Sequence, residues 1–326
     1  MGLLPMEADI LPPSDDRVFK LLLTSPEAKP GLIQLISGLI HRSVIDVTLH
    51  NTELPPGDTQ EKAERLDMNG TIDDGSQINL EMQANRMKEM PNRRNMNLKS
   101  RCIYYMTDLH SSQPAKGQRR YDQLARTYQV TFCTYTVFPE SSEYVNSFSL
   151  RHDRTGELLS DAVQMIFVEL SKLDAVLKKP VEEMTILDKW ALFLRYAPDS
   201  EYREKVNEVI ASEEVLDMAG ELLMGISQNE TERAIYRSRR KYETDYASDM
   251  ATARDIGKAE GKEEGIGIGR AEGIGIGRAE GIGIGKTEGR MERDREIVRT
   301  MKDLGMPLDQ ICKVTRLTQE EVTRMM

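Results

Sequence analysis

The sequence predicts an α/β protein followed by a helical C-terminal tail, and three features carry that reading. Apolar residues alternate with polar ones on both sides of Asp74-Gly75, which marks a β-hairpin. Apolar residues recur at helical spacing before and after that hairpin, in the 17–41 and 92–112 stretches. Residues 181–250 read as helices, with LDKWALFLRY at 187–196 amphipathic around Trp190.

Taken in order, residues 1–13 are rich in proline and read as a loose leader. Ser14-Asp15-Asp16 offers a helix N-cap, and a helix follows from about Arg17 to His41. Pro26 and Pro30 divide it, because proline lacks the N–H that the helix interior needs. Ser43–Leu54 has the β-branched content of a strand. The hairpin comes next: Ile78, Leu80 and Met82 alternate with Asn79, Glu81 and Gln83, so Glu81 and Gln83 share a face. In the preceding strand Leu66 and Met68 alternate with Arg65 and Asp67. An antiparallel pairing can therefore set Asp67 beside Glu81. A helix is expected over about 92–112, where Met96, Ile103, Tyr104 and Leu109 in part share a face, and Tyr104 and Tyr105 either pack in the core, the expectation for at least one of them, or flank a binding groove. Gln129–Phe138 reads as a buried strand, and Tyr144–Arg151 and Val163–Leu170 as further strands.

The chain has 326 residues, 39% hydrophobic and 30% charged, which is the balance of a folded protein. Cys102, Cys133 and Cys312 form no CxxC pair, which excludes a sequence-evident zinc ribbon and a disulfide framework. A reducing cytoplasm is the simplest expectation. The N-terminal residues have no basic start followed by an apolar core, Pro5 and the acidic context argue against acylation at Gly2, and no apolar run approaches the ~20 residues of a membrane span. No membrane partner is expected. His41, His50, His110 and His152 lack metal-ligand spacing.

The net charge of −10 argues mildly against a chain coated in nucleic acid. The charge is uneven, however. From Ala84 to Arg126 ten basic residues stand against three acidic ones, a net of +7, so the rest of the chain carries −17. A positive segment directly after the hairpin is what phosphate-backbone binding requires. A solvated charged helix is the plainer alternative.

Two carboxylates, Asp67 and Glu81, across one hairpin suit Mg²⁺, which prefers one or two carboxylates with waters and substrate phosphate. Gln83 would orient water or phosphate beside it. The plainer alternative is the solvated face of an edge hairpin. Asp73 and Asp74 read as turn chemistry. Asp16 is open between a further acidic ligand and an N-cap, and Lys20, one turn on, either approaches phosphate or lies at the surface, the surface being the plainer expectation.

Asp67, followed after a hairpin by Glu81-Met-Gln83, resembles the PD-(D/E)xK nuclease signature in its E-x-Q form. The ordered company of Asp16-Arg-Val-Phe19-Lys20, Asn79-Leu-Glu-Met-Gln83, Arg101-x-x-Tyr104-Tyr105 and Glu169-Leu-Ser-Lys172 is similar to the Rpn family of recombination-promoting nucleases, also described as PD-(D/E)xK family transposases. The resemblance runs from about residue 14 to residue 196. It implies a restriction-endonuclease-like α/β core, a mixed sheet flanked by helices. It also implies Mg²⁺-dependent DNA cleavage and a role in DNA recombination or mobile-element biology. Leu66 stands where the signature has proline, and Gln83 where it commonly has lysine. Neither change removes a metal ligand. The expected site is then Asp67, Glu81 and Gln83, with Asp67 and Glu81 (and Asp16 as a third candidate) on the metal, and Arg93, Arg94, Lys99 and Arg101 on DNA.

The tail changes character. Three octads, IGIGRAEG, IGIGRAEG and IGIGKTEG, run from Ile266 to Gly289, with ten glycines between Gly265 and Gly289. In a helix each glycine costs roughly 1 kcal/mol against alanine. A long helix touching a partner copy and a flexible spacer are both open. The octads match neither GxxxxGK[ST] nor GxGxxG. Residues 298–326 read as a small helical module with a helix-turn-helix-like pattern, GMPLDQICKVTRLTQEEV. The expected division is 14–180 as the nuclease-like core, 181–260 as a helical extension, 261–290 as the octad linker or helix, and 291–326 as the terminal module. Two functions are carried forward: a metal-dependent DNA endonuclease, and an inactive nuclease-fold protein that acts as a DNA-binding or oligomeric interaction module.

Overall fold

A computed structural model describes residues 2–50, 68–84, 91–113 and 120–326, with residues 91–96 described as backbone only. Asp67 and the neighbouring Arg65 and Leu66 lie outside the described residues, as do the side chains of Arg93, Arg94 and Met96. The chain divides into two compact units, Met1–Asp245 and Tyr246–Met326.

The first unit opens with α1 (Asp16–Thr24) and α2 (Lys29–Ile40), separated by a 3-10 turn at Pro26–Ala28, where the prolines require a break. Three strands follow: β1 (Val47–Leu49), β2 (Met68–Ile72) and β3 (Gln77–Gln83). Gly75 turns the β2–β3 hairpin at φ +84°, a conformation that costs glycine little. Asp74 accepts the Ser76 N–H there at 3.0 Å, and Asp73 accepts the Ile45 N–H at 3.1 Å, so both aspartates serve the turn region. After β3 comes α3 (Pro91–Ser111), then β4 (Thr127–Cys133), β5 (Val145–Arg151) and β6 (Leu158–Glu169). The six strands lie in the order β1-β2-β3-β4-β6-β5. β3, β4 and β6 run parallel, and the pairs toward both edges run antiparallel. The sheet is mixed and flanked by helices, as expected.

Each face of the sheet is covered differently. Ile78, Leu80, Met82, Tyr128, Val130, Phe132, Ile166 and Val168 enter the main core. That core also takes residues of α1, α2 and the helices α4 (Asp174–Leu177), α5 (Ile186–Tyr196), α6 (Arg203–Ala211) and α7 (Glu214–Gln228). Trp190 is fully buried in it. The helical segment that begins at residue 181 thus shares one core with the sheet. On the opposite face, Leu98 and Cys102 of α3 pack on Cys133, Val137 and Phe167.

Four readings are corrected here. Residues 2–13 are docked, not loose: Leu4, Ile10 and Leu11 are buried. Side chains of α6 and α7 satisfy their backbone, with Asn207 accepting the Leu4 N–H at 2.9 Å, Ser227 accepting that of Leu11 at 3.0 Å, and Arg203 donating to Pro5 O at 2.6 Å. Lys20 is fully buried instead of exposed. The inner face of α3 is Leu98-Cys102-Met106, while Ile103 and Tyr104 face outward and Tyr105 is half-buried. β4 ends at Cys133, five residues before Phe138, because Val137 and Phe138 turn to bond Glu169.

The second unit is built on α8 (Glu230–Asp303), whose first turns belong to the first unit. The octads are helical throughout. Their isoleucines stand exposed. A repeat of eight advances the helix by about 80° beyond two turns, so the isoleucines wind around it and form no single stripe. α8 ends at Gly305 (φ +79°), and α9 (Leu308–Thr315) and α10 (Gln319–Met325) fold back on it around Val298, Ile311 and Val322. Thr318 and Glu321 form the capping box that opens α10.

Candidate active site

The site is built on β3. Its alternation sends Ile78, Leu80 and Met82 into the main core and leaves Asn79, Glu81 and Gln83 for the face under α3. β3 lies between β2 and β4, not at an edge. Glu81 is only 4% exposed, so it is not the solvated face of an edge hairpin. Its Oε1 receives two donors. Gln83 Nε2 donates at 2.5 Å from two residues along the strand, and Arg101 Nη2 donates at 2.9 Å from α3.

The helix is held over the strand by a row of buried polar groups. Asn79 Nδ2 donates to Gln129 Oε1 at 2.8 Å, Gln129 Nε2 donates to Thr131 Oγ1 at 3.3 Å, and Thr131 Oγ1 lies 3.3 Å from Cys102 Sγ. Thr131 is the β4 residue opposite Glu81 in the parallel register, and Cys102 directly follows Arg101. That row therefore fixes the turn of α3 that delivers Arg101. Burial pushes the Cys133 thiol well above its usual range, with Cys102, Glu169 and Glu81 adding to the rise. A thiol so placed stays protonated, which excludes it as a nucleophile.

The remaining expected residues fall as follows. Asp16 is the first residue of α1, and its Oδ2 accepts from Arg239 Nη2 at 3.3 Å. The N-cap is Asp15, whose Oδ1 accepts the Arg17 and Val18 N–H groups. Lys99 places its Nζ 4.3 Å from the centroid of the Phe138 ring, a cation–π contact beside the helix that carries Arg101. Arg93 and Arg94 lie in the first turns of α3, and Asp67 lies outside the described residues. Among the described residues no three His, Cys, Asp or Glu side chains form a metal-binding group.

A second buried carboxylate plays a structural part. Glu169, at the end of β6, accepts from Val137 N at 2.6 Å, Phe138 N at 3.1 Å, Asn146 Nδ2 at 2.7 Å and Lys172 Nζ at 2.8 Å. Lys172 also donates to Phe138 O and Ser141 O, both at 2.7 Å. The pair knots the β4–β5 loop and so fixes Phe138 under Lys99. Its sequence signal is the Glu169-Leu-Ser-Lys172 spacing within a β-branched run.

The profile of the PD-(D/E)XK nuclease family transposases matches residues 13–253, which is most of the chain and includes the whole sheet. The chain belongs to this family. No curated protein and no solved structure matches it. For a PD-(D/E)XK nuclease family transposase, the mixed sheet with Glu81 on an internal strand is the expected core, and the match reaches past α7 into the first turns of α8. No helix among the described residues is long and apolar enough to cross a membrane.

Proposed function

We propose that this chain is a divalent-metal-dependent DNA endonuclease that hydrolyses phosphodiester bonds in recombination or transposition. The observation that carries the reading is the convergence of Gln83 and Arg101 on one oxygen of a buried glutamate, on an internal strand of a PD-(D/E)XK fold. A carboxylate and an amide oxygen are hard donors of the kind Mg²⁺ takes, so the residues present fit that ion.

Asp67 and Glu81 would hold Mg²⁺. Asp16 is a third candidate ligand once Arg239 releases it. The ion, when bound, polarises the phosphoryl oxygen and lowers the pKa of its water. Gln83 then turns its amide to hold the attacking water or a phosphate oxygen. Arg101 neutralises charge that builds on the phosphate. Arg93, Arg94 and Lys99, on the same basic helix, carry the flanking backbone phosphates. The setting is cytoplasmic. The exposed isoleucines of α8 favour self-association of the tail with a second copy.

One observation favours the second reading, an inactive nuclease fold that binds DNA or assembles. Arg101 already neutralises Glu81, which is how a carboxylate is kept where no cation binds. Plasmid nicking with and without Mg²⁺ separates the two, with Asp67→Ala and Glu81→Ala beside the wild type. Metal-dependent nicking lost in both variants supports the endonuclease. No nicking by the wild type, with no Mg²⁺ binding in calorimetry, overturns it in favour of the second reading.

A further inference from the structure

Tyr104 lies three residues beyond Arg101 on α3, about 4.5 Å along the axis and on the adjoining part of the helix surface. Its side chain is 60% exposed, and Ile103 beside it is exposed as well. A ring of this size left in water forgoes the gain of burying it. The inner face of α3 is complete without it, since Leu98, Cys102 and Met106 fill the space against the sheet. Tyr105 supports the ring edge-on, with centroids 5.9 Å apart and planes at 63°. The ring is therefore braced from one side and open to solvent on another.

Charge says what could cover it. The net +7 of residues 84–126 falls mainly on the first half of α3 and the segments flanking the helix. Toward the N-terminus from Tyr104 come Arg101 and Lys99. One turn toward the C-terminus stands the exposed acid Asp108. Within α3 a polyanion is thus favoured along the N-terminal half. In a duplex the faces of the bases are covered by their neighbours. An open aromatic face next to a phosphate-binding arginine is useful only to a base that has left the stack.

We infer that Tyr104 is a base-stacking platform, and that the preferred substrate is DNA that is single-stranded, or unpaired, beside the scissile phosphate. Arg101 takes the phosphate and Tyr104 takes the face of the adjacent base. This rests on the endonuclease reading for the position of the phosphate, but its test reads binding alone.

The test is fluorescence anisotropy in EDTA, with full-length protein and a labelled mixed-sequence 20-nucleotide strand or its duplex. Tyr104→Ala, Tyr104→Phe and Tyr104→Leu are compared with the wild type. The ring is exposed, so the variants should fold, and circular dichroism checks this. The expected result is a wild type that binds the single strand more tightly than the duplex. Tyr104→Ala should lose about 5- to 150-fold on the single strand and less than about two-fold on the duplex. Tyr104→Phe should bind as the wild type does, and Tyr104→Leu should resemble alanine. Equal losses on both substrates, wild-type binding by Tyr104→Ala or Tyr104→Leu, or no strand preference in the wild type would each overturn the inference. A Tyr104-dependent strand preference in a protein that never nicks DNA would sink the hydrolytic reading and leave the platform standing.

Discussion

Arg101 reaches from α3 to place its Nη2 2.9 Å from Glu81 Oε1, the same oxygen that Gln83 takes at 2.5 Å. A strand and the crossover helix that follows it thus meet on one buried carboxylate. If the carboxylate is a ligand, Arg101 orients it. Arg101→Ala should lower Mg²⁺-dependent nicking about 10- to 100-fold, the usual cost of losing a group that orients a metal ligand. Arg101→Lys should recover only part of it, since an ammonium cannot hold a carboxylate and a phosphate with a planar fork. Initial rates on supercoiled plasmid provide the readout. Full activity in Arg101→Ala would remove Arg101 from the site.

Asp188 offers a check on acid stability. Tyr144 donates to its Oδ1 at 2.6 Å, and Lys179 to its Oδ2 at 2.9 Å. Burial alone would raise the carboxyl, but the hydrogen bonds from Tyr144 and Lys179 outweigh it and hold it below the usual carboxylate range. A depressed carboxyl contributes stability that is complete above the unfolded value of ~3.9 and is lost as pH falls through the folded value. Asp188→Asn should therefore cost about 1–3 kcal/mol at pH 7, and the gap to wild type should shrink below about pH 4. Urea melts followed by fluorescence of Trp190, the single tryptophan and fully buried, measure both. A gap that stays constant down to pH 2.5 would contradict the pairing.

Gly220 on α7 and Gly2 meet backbone to backbone. A methyl group on Gly220 would stand 2.0 Å from Gly2 O, closer than any contact allows. Gly220→Ala must push the N-terminal segment away and with it the Gly2 N–H, which lies 2.6 Å from Asp217 Oδ1. A loss of about 1–3 kcal/mol is expected, the usual cost of overpacking. It should come with faster proteolysis within residues 2–13. Gly225→Ala, on the same helix with open space around it, is the control and should be neutral or stabilising.

The octad helix is expected to respond in the opposite sense. At Gly275 a methyl group would meet nothing within 4 Å. Gly275→Ala should add about 1 kcal/mol to the helix. The thermal transition of far-ultraviolet circular dichroism in the tail should rise accordingly. An unchanged or lowered transition would mean that another chain occupies the space beside Gly275.

What could be read from the sequence follows from what local pattern encodes. Alternation in Gln77–Gln83 gave the face of Glu81 and Gln83, Asp74-Gly75 gave the turn, and Pro26 and Pro30 gave the break between α1 and α2, because each is a local backbone rule. Lys20 was misplaced because a lysine is buried only when tertiary structure encloses it, and no neighbour in sequence says so. On α3 the bulk of Ile103 and Tyr104 outweighed Cys102, a small residue that is commonly interior and that here marks the seam with Leu98 and Met106. In the leader, proline content masked Leu4, Ile10 and Leu11. The meeting of Arg101 with Glu81 depends on the β3–α3–β4 crossover, which no short window contains.

The Glu169–Lys172 knot has a consequence for the order of assembly. The loop after β4 takes its shape from a carboxylate that lies 32 residues further along from Val137. Until β6 has been synthesised and laid beside β4, the Val137 and Phe138 N–H groups have no acceptor in Glu169, and Phe138 has no fixed place under Lys99. The parallel strand must therefore dock before the loop sets, and long-range parallel pairing is slow. The wall of the basic helix is finished late, after the sheet and not with it, so a newly made chain carries its sheet before Lys99 has its ring.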